Sequence, residues 1–568
     1  MAKTLTHIII SCIVMFLLVL TVCLVEVRWS PAEHTLAFSL PLLLLGAVAI
    51  ALCNRSTIRF TIGDLLILLW GVYYFGRIWV GAEYPCATTA LQSMMMILLY
   101  FVLRILFSCA TDSGLLSTVL VVGILLCGGM EAISGLSQLF MHSSRHAQFL
   151  LTGSFLNPGP YSAYLAVAIA IGMAWNPHTD WGNLLRKMLL AVMLVALSLT
   201  WSRAAFVAIG IVGLWHFRKA YWKLRYPLWG AVVVVGIVLY LLKQDSADGR
   251  LLIWQSALHS WCDNPVWGVG IGGFPKAYSD GMESLYHATA DINQLMPADV
   301  VEYAFNDLLK VLVEQGIVGL LLALTTIGVL LYHLYRCSRP LFLGMTALLL
   351  FSLFSYPMEQ FPYRILVVLV AAYAESTVAH AQKSSTTHRW LPLCALLLVP
   401  LTWGVYRQVG KRVDMDKEYK MFSHMNDQVF IQDFYDLLPY GQDAPAYLFR
   451  FGKLLQAHGR YTDSNAMLRR GAAISSDPMF YVLMGNNYTA QGYYEEAEAA
   501  YWEAYRRMPN RLYPLYQLMT LYHTMGDRER TKEMAHRVLE KREKVASPAT
   551  KEMKERAKKL LKLLEYEI

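Results

Sequence analysis

Charge is what this sequence has least of. Only 16% of its 568 residues are Asp, Glu, Lys or Arg, against roughly a quarter in an average soluble domain. The shortage is uneven: residues 1–406 are runs of Leu, Val, Ile, Ala and aromatics, whereas 407–568 have ordinary soluble composition. Also missing are a CxxC pair among the nine cysteines, a Walker-type phosphate loop and a clustered set of acidic metal ligands. These absences exclude a zinc-ribbon module, a nucleotide-driven pump and a metal-dependent transferase, so no metal and no cofactor is expected. The formal charge of +8 does not indicate nucleic acid. Much of it sits in short loops between apolar runs, and the basic C-terminal cluster around Lys551, Lys554, Arg556, Lys558 and Lys559 is interleaved with Glu552, Glu555 and Glu565, as on a solvated helix face.

What is present is a ladder of apolar runs. A spanning helix needs about 20 mostly apolar residues. Runs of that kind fall near 7–28, 35–53, 62–80, 90–110, 114–137, 156–175, 186–201, 203–217, 227–243, 306–333, 339–356, 363–381 and 390–406. The fold expected is all-α: a polytopic bundle of about 12–13 transmembrane helices over 1–406, then a soluble α-solenoid over 407–568. The runs that meet at Trp201-Ser202-Arg203 require a tight turn at the membrane surface. The first run has only Lys3 before it and no small-residue cleavage site, which points to a retained helix rather than a signal peptide.

Lys and Arg in short loops set orientation. The densest basic loop, Arg218, Lys219, Lys223 and Arg225, is assigned to the cytoplasm. Helix counting puts Arg55/Arg59, Arg186/Lys187, Arg336/Arg339 and Lys383/Arg389 on the same side, together with the N-terminus. The long segment 244–305 then lies outside, and an odd helix count puts 407–568 outside too. Cys86 and Cys262 fall on that side, where a disulfide between them is one option. Within the runs, Arg104 and Asp64 are the notable charges, and neither has an obvious partner in the sequence.

Residues 478–511 follow the tetratricopeptide pattern: Tyr481, Met484, Gly485 and Tyr488 on one helix, Gly492 and Tyr494 at the turn, Ala497, Tyr501 and Ala504 on the next, then Pro509. Weaker copies flank it, at Leu448, Phe451, Gly452, Gly459 and Tyr461 and at Leu515, Leu518, Tyr522 and Gly526. Such an array either caps the membrane region or offers a concave surface to a protein or glycan partner.

The residues able to do chemistry cluster in the outward-facing pieces. In chain order they are Thr152-Gly-Ser-Phe-Leu-Asn157-Pro with Tyr161-Ser-Ala-Tyr164; Trp201-Ser202-Arg203-Ala-Ala; Arg250-Leu-Leu-Ile-Trp254; Asn264-Pro-Val-Trp-Gly-Val-Gly270; and Glu302-Tyr-Ala-Phe305-Asn306-Asp-Leu-Leu-Lys-Val-Leu-Val-Glu314-Gln-Gly316. A further outer loop runs from Tyr356 to Arg364. An arginine at a membrane edge is costly and is a functional hypothesis by default, although a guanidinium can also snorkel to lipid headgroups.

Taken in this order over roughly 150–375, these elements resemble the O-antigen ligase and O-antigen polymerase superfamily, which includes bacterial protein O-oligosaccharyltransferases. The resemblance implies a metal-independent glycosyltransferase of a bacterial inner membrane. Its donor would be an undecaprenyl-diphosphate-linked glycan, used on the periplasmic side. The acceptor would be a lipid A core in lipopolysaccharide assembly, another glycan repeat, or a protein. Arg203 and Arg250 would clamp the diphosphate, because the guanidinium fork binds phosphate oxygens bidentately and stays charged near lipid. Asn157, Ser202, Asn306, His287 and Arg364 would line the substrate site. Where the family has His before Asn, this chain has Phe305-Asn306. Glu302, expected one helical turn before Phe305, is the replacement base considered first, followed by His287, Asp299 and Asp307. A transporter, or a non-catalytic scaffold whose repeat tail recruits envelope proteins, is the alternative of another class.

Overall fold

The computed structural model describes all residues except 1, 23–28, 81–83, 111, 145–148, 156, 243, 290–291, 382–390, 425–430, 545 and 567–568. The described residues are all-helical, at 80% helix with no strands. Among the described residues, seven helices are long and apolar enough to cross a membrane: Pro31–Cys53, Ile62–Trp79, Ala87–Ser108, Ser113–Met141, Asp180–Thr200, Asp307–Cys337 and Phe361–Ala381. Thr4–Leu20, Pro158–Ala174, Arg203–His216 and Arg339–Ser352 are shorter apolar helices. The protein is a multi-pass membrane protein. The basic pair Lys383/Arg389 lies outside the described residues.

Local chemistry fixes where these helices begin. Ser30 with Glu33, and Thr61 with Asp64, form reciprocal capping boxes, satisfying backbone N–H groups that lipid cannot solvate. The two-residue turn foreseen between the short helices is present: Asp180–Thr200 ends, Trp201 takes the left-handed conformation (φ 51°), and the next helix begins at Arg203. Pro158–Ala174 is the central helix, with residues 160–172 buried, and it packs on Arg339–Ser352, Ser113–Met141, Asp180–Thr200 and Arg203–His216. Outward faces carry exposed Leu65, Leu68, Leu69 and Val72 on one helix and Leu184, Met188 and Val195 on another. On a soluble protein these would be aggregation-prone patches; here acyl chains cover them.

Two sequence readings are corrected. Arg104 and Asp64 are partners: Nε donates to Oδ1 and Nη2 to Oδ2, each at 2.7 Å, and Tyr100 and Ser376 complete the cluster. Asp64 sits in the first turn of its helix and Arg104 also binds the Arg59 carbonyl at 2.9 Å, so the pair closes one end of the bundle rather than crossing its middle. Cys86 and Cys262 are not joined in a disulfide.

Beyond the membrane region, helix Val399–His424 runs through Arg407 into a helical repeat region. Three helix pairs follow: Pro445–Ala457 with Tyr461–Ala472, Met479–Gln491 with Tyr494–Arg507, and Tyr513–Thr524 with Arg528–Glu540. Glycine permits the close crossings; a Cβ on Gly485 would come within 2.5 Å of the Tyr501 ring.

This region docks on the segment 274–301. Buried Arg507 donates to Asp280 at 2.5 Å, Glu283 at 2.9 Å and Glu503 at 2.6 Å, with Tyr481 beneath its guanidinium. Asn510 donates to the Met296 and Ala298 carbonyls, and the Ser476 hydroxyl pairs with the Val301 backbone. Because 274–301 and the repeats touch, both lie on one side of the membrane, whatever the helix count. Burial opposes the Arg507 charge, but Tyr481, Asp280 and Glu503 outweigh it and raise the pKa. Arg507→Ala would leave three carboxylates facing one another. A loss of about 3 kcal/mol is expected, read as faster proteolytic release of the repeat region while the membrane region stays intact.

Candidate active site

The sequence elements singled out above are brought together at one end of the bundle. Ser162, from the first element, donates to the Ser202 hydroxyl of the second at 2.7 Å. Asn157 caps the central helix, its side chain accepting from the Gly159 N–H at 2.8 Å, so this asparagine aims the helix N-terminus at the site. Arg203 is the first residue of its helix and is half-buried.

Arg250 comes from helix Gln244–Trp261. Its Nη1 donates to the Phe354 carbonyl at 2.7 Å, and its guanidinium lies 5.0 Å from the Phe305 ring centroid. Burial, then the neighbouring Arg203 charge, hold its pKa below the usual arginine range. Two cations placed close enough to repel, one with no carboxylate among the described residues, form an arrangement that an anion relieves.

The spacing Arg-x-x-x-Trp has a geometric reason. One turn after Arg250, Trp254 Nε1 donates to the Ala304 carbonyl at 3.0 Å, pinning the chain where Phe305 follows. Phe305 has φ 52°, a left-handed conformation that is an outlier for a bulky residue but is visited more readily by His. The backbone thus has the shape suited to histidine at this position while the side chain cannot titrate. Tyr356 meets Phe305 edge-on at 5.2 Å and stacks on Tyr303 at 4.2 Å with planes 2° apart. Sequence reading missed Tyr356; its one signal was its place in the outer loop ending at Arg364.

The last two elements hold each other. Helix Asp307–Cys337 is interrupted at Gly316 (φ 66°), and the turn backbone of 265–270 pairs with the break: Val269 N–H to the Val313 carbonyl, Gly270 N–H to the Glu314 carbonyl and Ile317 N–H to the Pro265 carbonyl, all 2.9–3.0 Å. A Cβ on Gly316 would stand 2.1 Å from the Val266 oxygen. Gly316 therefore admits the glycine-rich loop, not a neighbouring helix. Two further donors of the loop are used as well. Gly272 and Phe274 N–H groups bond Glu314 Oε1 at 3.1 and 3.3 Å, a cradle of the kind that elsewhere holds phosphate but here is filled by the protein's own carboxylate.

Around Glu314 runs a charged belt. Lys310 bridges Glu314 (3.5 Å) and Glu359 (2.6 Å), and Asp307 accepts from the Met358 N–H at 3.2 Å. Arg364 Nε donates to the Met358 carbonyl at 2.6 Å and its Nη1 to Gln92 at 3.1 Å. Lys310 and Arg364 overcome the burial of Glu359 and lower its pKa.

Residues 188–324 match the O-antigen ligase family, Wzy_C. No curated protein matches the chain. The matched stretch contains Arg203, Arg250, the glycine-rich loop, Phe305 and Glu314, and supports a membrane glycosyltransferase-like ligase role. Around the matched stretch the remaining expected residues are distributed as follows. Asn306 caps helix Asp307–Cys337, its Oδ1 accepting from the Leu309 N–H at 3.0 Å. Glu302 is not one helical turn before Phe305: residues 301–306 are non-helical and Glu302 is exposed, because the helix starts only at the Asn306 cap. His287 is exposed at the end of helix Phe274–Ala288, its ring edge-on to Tyr286, which in turn meets Tyr505 of the repeats.

Proposed function

We propose that the protein transfers a glycan from a polyprenyl-diphosphate donor to an acceptor hydroxyl or amine at the face that carries Arg203, Arg250 and the repeat region. That face is periplasmic, with the N-terminus in the cytoplasm of a bacterial cell whose inner membrane holds the bundle. Residues 1–406 form the transferase and 407–568 a tetratricopeptide region. The observation that carries the reading is Arg250: a half-buried guanidinium with no carboxylate partner among the described residues, beside Arg203, in a stretch that matches the O-antigen ligase family.

In this reaction the acceptor oxygen or nitrogen bonds the anomeric carbon, the bond from that carbon to the diphosphate oxygen breaks, and the electron pair leaves with the diphosphate. Arg203 and Arg250 stabilise the charge that develops there, where preorganised donors act most strongly. Arg364, Ser202 and the caps Asn157 and Asn306 shape the same face. Phe305 accepts no proton, so the acceptor's proton goes to the departing diphosphate or to a nearby group such as Glu302. Ligase-like transfer to a lipid core is the preferred assignment over polymerisation or protein glycosylation.

The test is a deletion strain complemented with wild type, Arg203→Gln or Arg250→Gln. The variants are expected to reach the membrane, accumulate lipid-linked donor and lose one glycoconjugate, whose identity names the acceptor. Wild-type behaviour of both would leave the scaffold reading, which Phe305 in place of histidine favours.

A further inference from the structure

A cavity of about 820 Å³ opens between one end of helix Ile62–Trp79, the glycine-rich loop and the repeat region. Three features of its lining define the chemistry of what fits. The first is aromatic: Trp267 is 57% exposed and lies tilted against Tyr73 at 6.4 Å, presenting a flat apolar face beside polar groups. The second is a spare donor. Arg77 is 7% exposed, its Nη2 bonds the Gly268 carbonyl at 2.9 Å, and its buried Nε has no hydrogen-bond partner. The third is that the acids are already satisfied. Asp443 accepts from the Thr88 N–H at 2.6 Å and from Arg412, and Asp280 is held by Arg507 and Lys276.

A peptide docking here would need a free backbone edge. The loop offers none, since the N–H groups of Val269, Gly270, Ile271 and Gly272 all bond within the chain. The same bonds leave no amide cradle for a phosphate. What remains is a ring face for the C–H side of a pyranose and one cation without a carboxylate partner among the described residues.

We propose that this cavity binds a saccharide chain bearing an acidic sugar, with the ring face on Trp267 and the carboxylate toward Arg77. It belongs to the acceptor, and in this respect the proposal rests on the transferase reading above. The repeat region then acts as one wall of the substrate site: Asp443, locked to Thr88, and the Arg470 guanidinium over the Tyr84 ring at 4.8 Å hold that wall against the membrane region.

The test uses the full chain in lipid nanodiscs without any donor. Saturation-transfer NMR and tryptophan fluorescence would follow a tetrasaccharide of alternating glucuronic acid and N-acetylglucosamine, with maltotetraose as the neutral probe and a tetraglutamate peptide as the competitor class. The acidic saccharide is expected to bind, Trp267→Ala to weaken it about tenfold, and Arg77→Gln to remove the preference over maltotetraose. Trp267 is exposed, so its variant reports on binding even if Arg77→Gln fails to fold. Absence of saccharide binding, indifference to Trp267→Ala, or binding of the peptide instead would each overturn the proposal. Because no donor is present, these outcomes are separate from donor accumulation in the Arg203 and Arg250 variants.

Discussion

Arg250→Gln is expected to lower glycan transfer by about 10²- to 10³-fold, the effect of removing one preorganised donor from a developing anion. The loss should fall on kcat/KM with the protein fully folded. Arg250 is only half-buried, and it donates to the Phe354 carbonyl, which glutamine can still reach through its amide. Arg250→Lys should recover only part of the activity. Lysine keeps the charge but loses the planar fork and the stacking on Phe305. Equal activity of the Lys variant and wild type would mean that charge alone is needed at this position. Equal activity of the Gln variant would remove Arg250 from the chemistry.

The second large effect is structural. Gly316→Ala is expected to destabilise the protein by about 3 kcal/mol or more, because it combines a positive φ with a backbone clash. The added methyl would sit 2.1 Å from the Val266 oxygen. Relief would require the glycine-rich loop to leave the helix break, taking with it the N–H groups that hold Glu314. Lys310 would then lose one of its two carboxylates, and the belt through Glu359 to Arg364 would loosen. Fluorescence-detected size exclusion after graded heating checks this. Gly328→Ala serves as control, since a Cβ there meets nothing within 4 Å. Matching profiles for the two variants would show that the loop does not need the break.

Much of this architecture was legible because lipid and water impose simple patterns. Each apolar run corresponds to helix among the described residues, and the Trp201-Ser202-Arg203 turn was forced by two short runs that abut. The ordered motif set was legible too, and the structure supplies the reason for its order: each element is bonded to another across the site. What was not legible depends on tertiary pairing. Asp64 and Arg104 are 40 residues apart in sequence and meet only because two helix ends converge. Glu314 reads as an isolated acid until the loop's N–H groups are seen around it. Glu302 was misplaced by extending a helical period upstream of Asn306, although an asparagine followed by an acidic residue and an apolar run is itself a start signal. Tyr356 gave no period or motif to read; it reaches Phe305 through the short loop after helix Arg339–Ser352.

The conformation of Phe305 has a bearing on mechanism. A phenylalanine held at φ 52° beneath an arginine keeps the backbone shape that suits histidine and gives up its proton chemistry. On the proposed reading, the site would depend more on electrostatic stabilisation of the leaving group than on base catalysis, and its two arginines would carry the reaction.

Affinity for the leaving group tests that claim most directly. Purified protein in nanodiscs would be titrated with a short-chain polyprenyl diphosphate and the matching monophosphate, for wild type and for the Arg203→Gln/Arg250→Gln double variant. Wild type is predicted to favour the diphosphate by about tenfold or more, and the double variant to lose that preference while still binding the chain. Undiminished preference for the diphosphate in the folded double variant would contradict the account, and the transfer site would have to be sought away from Arg203 and Arg250.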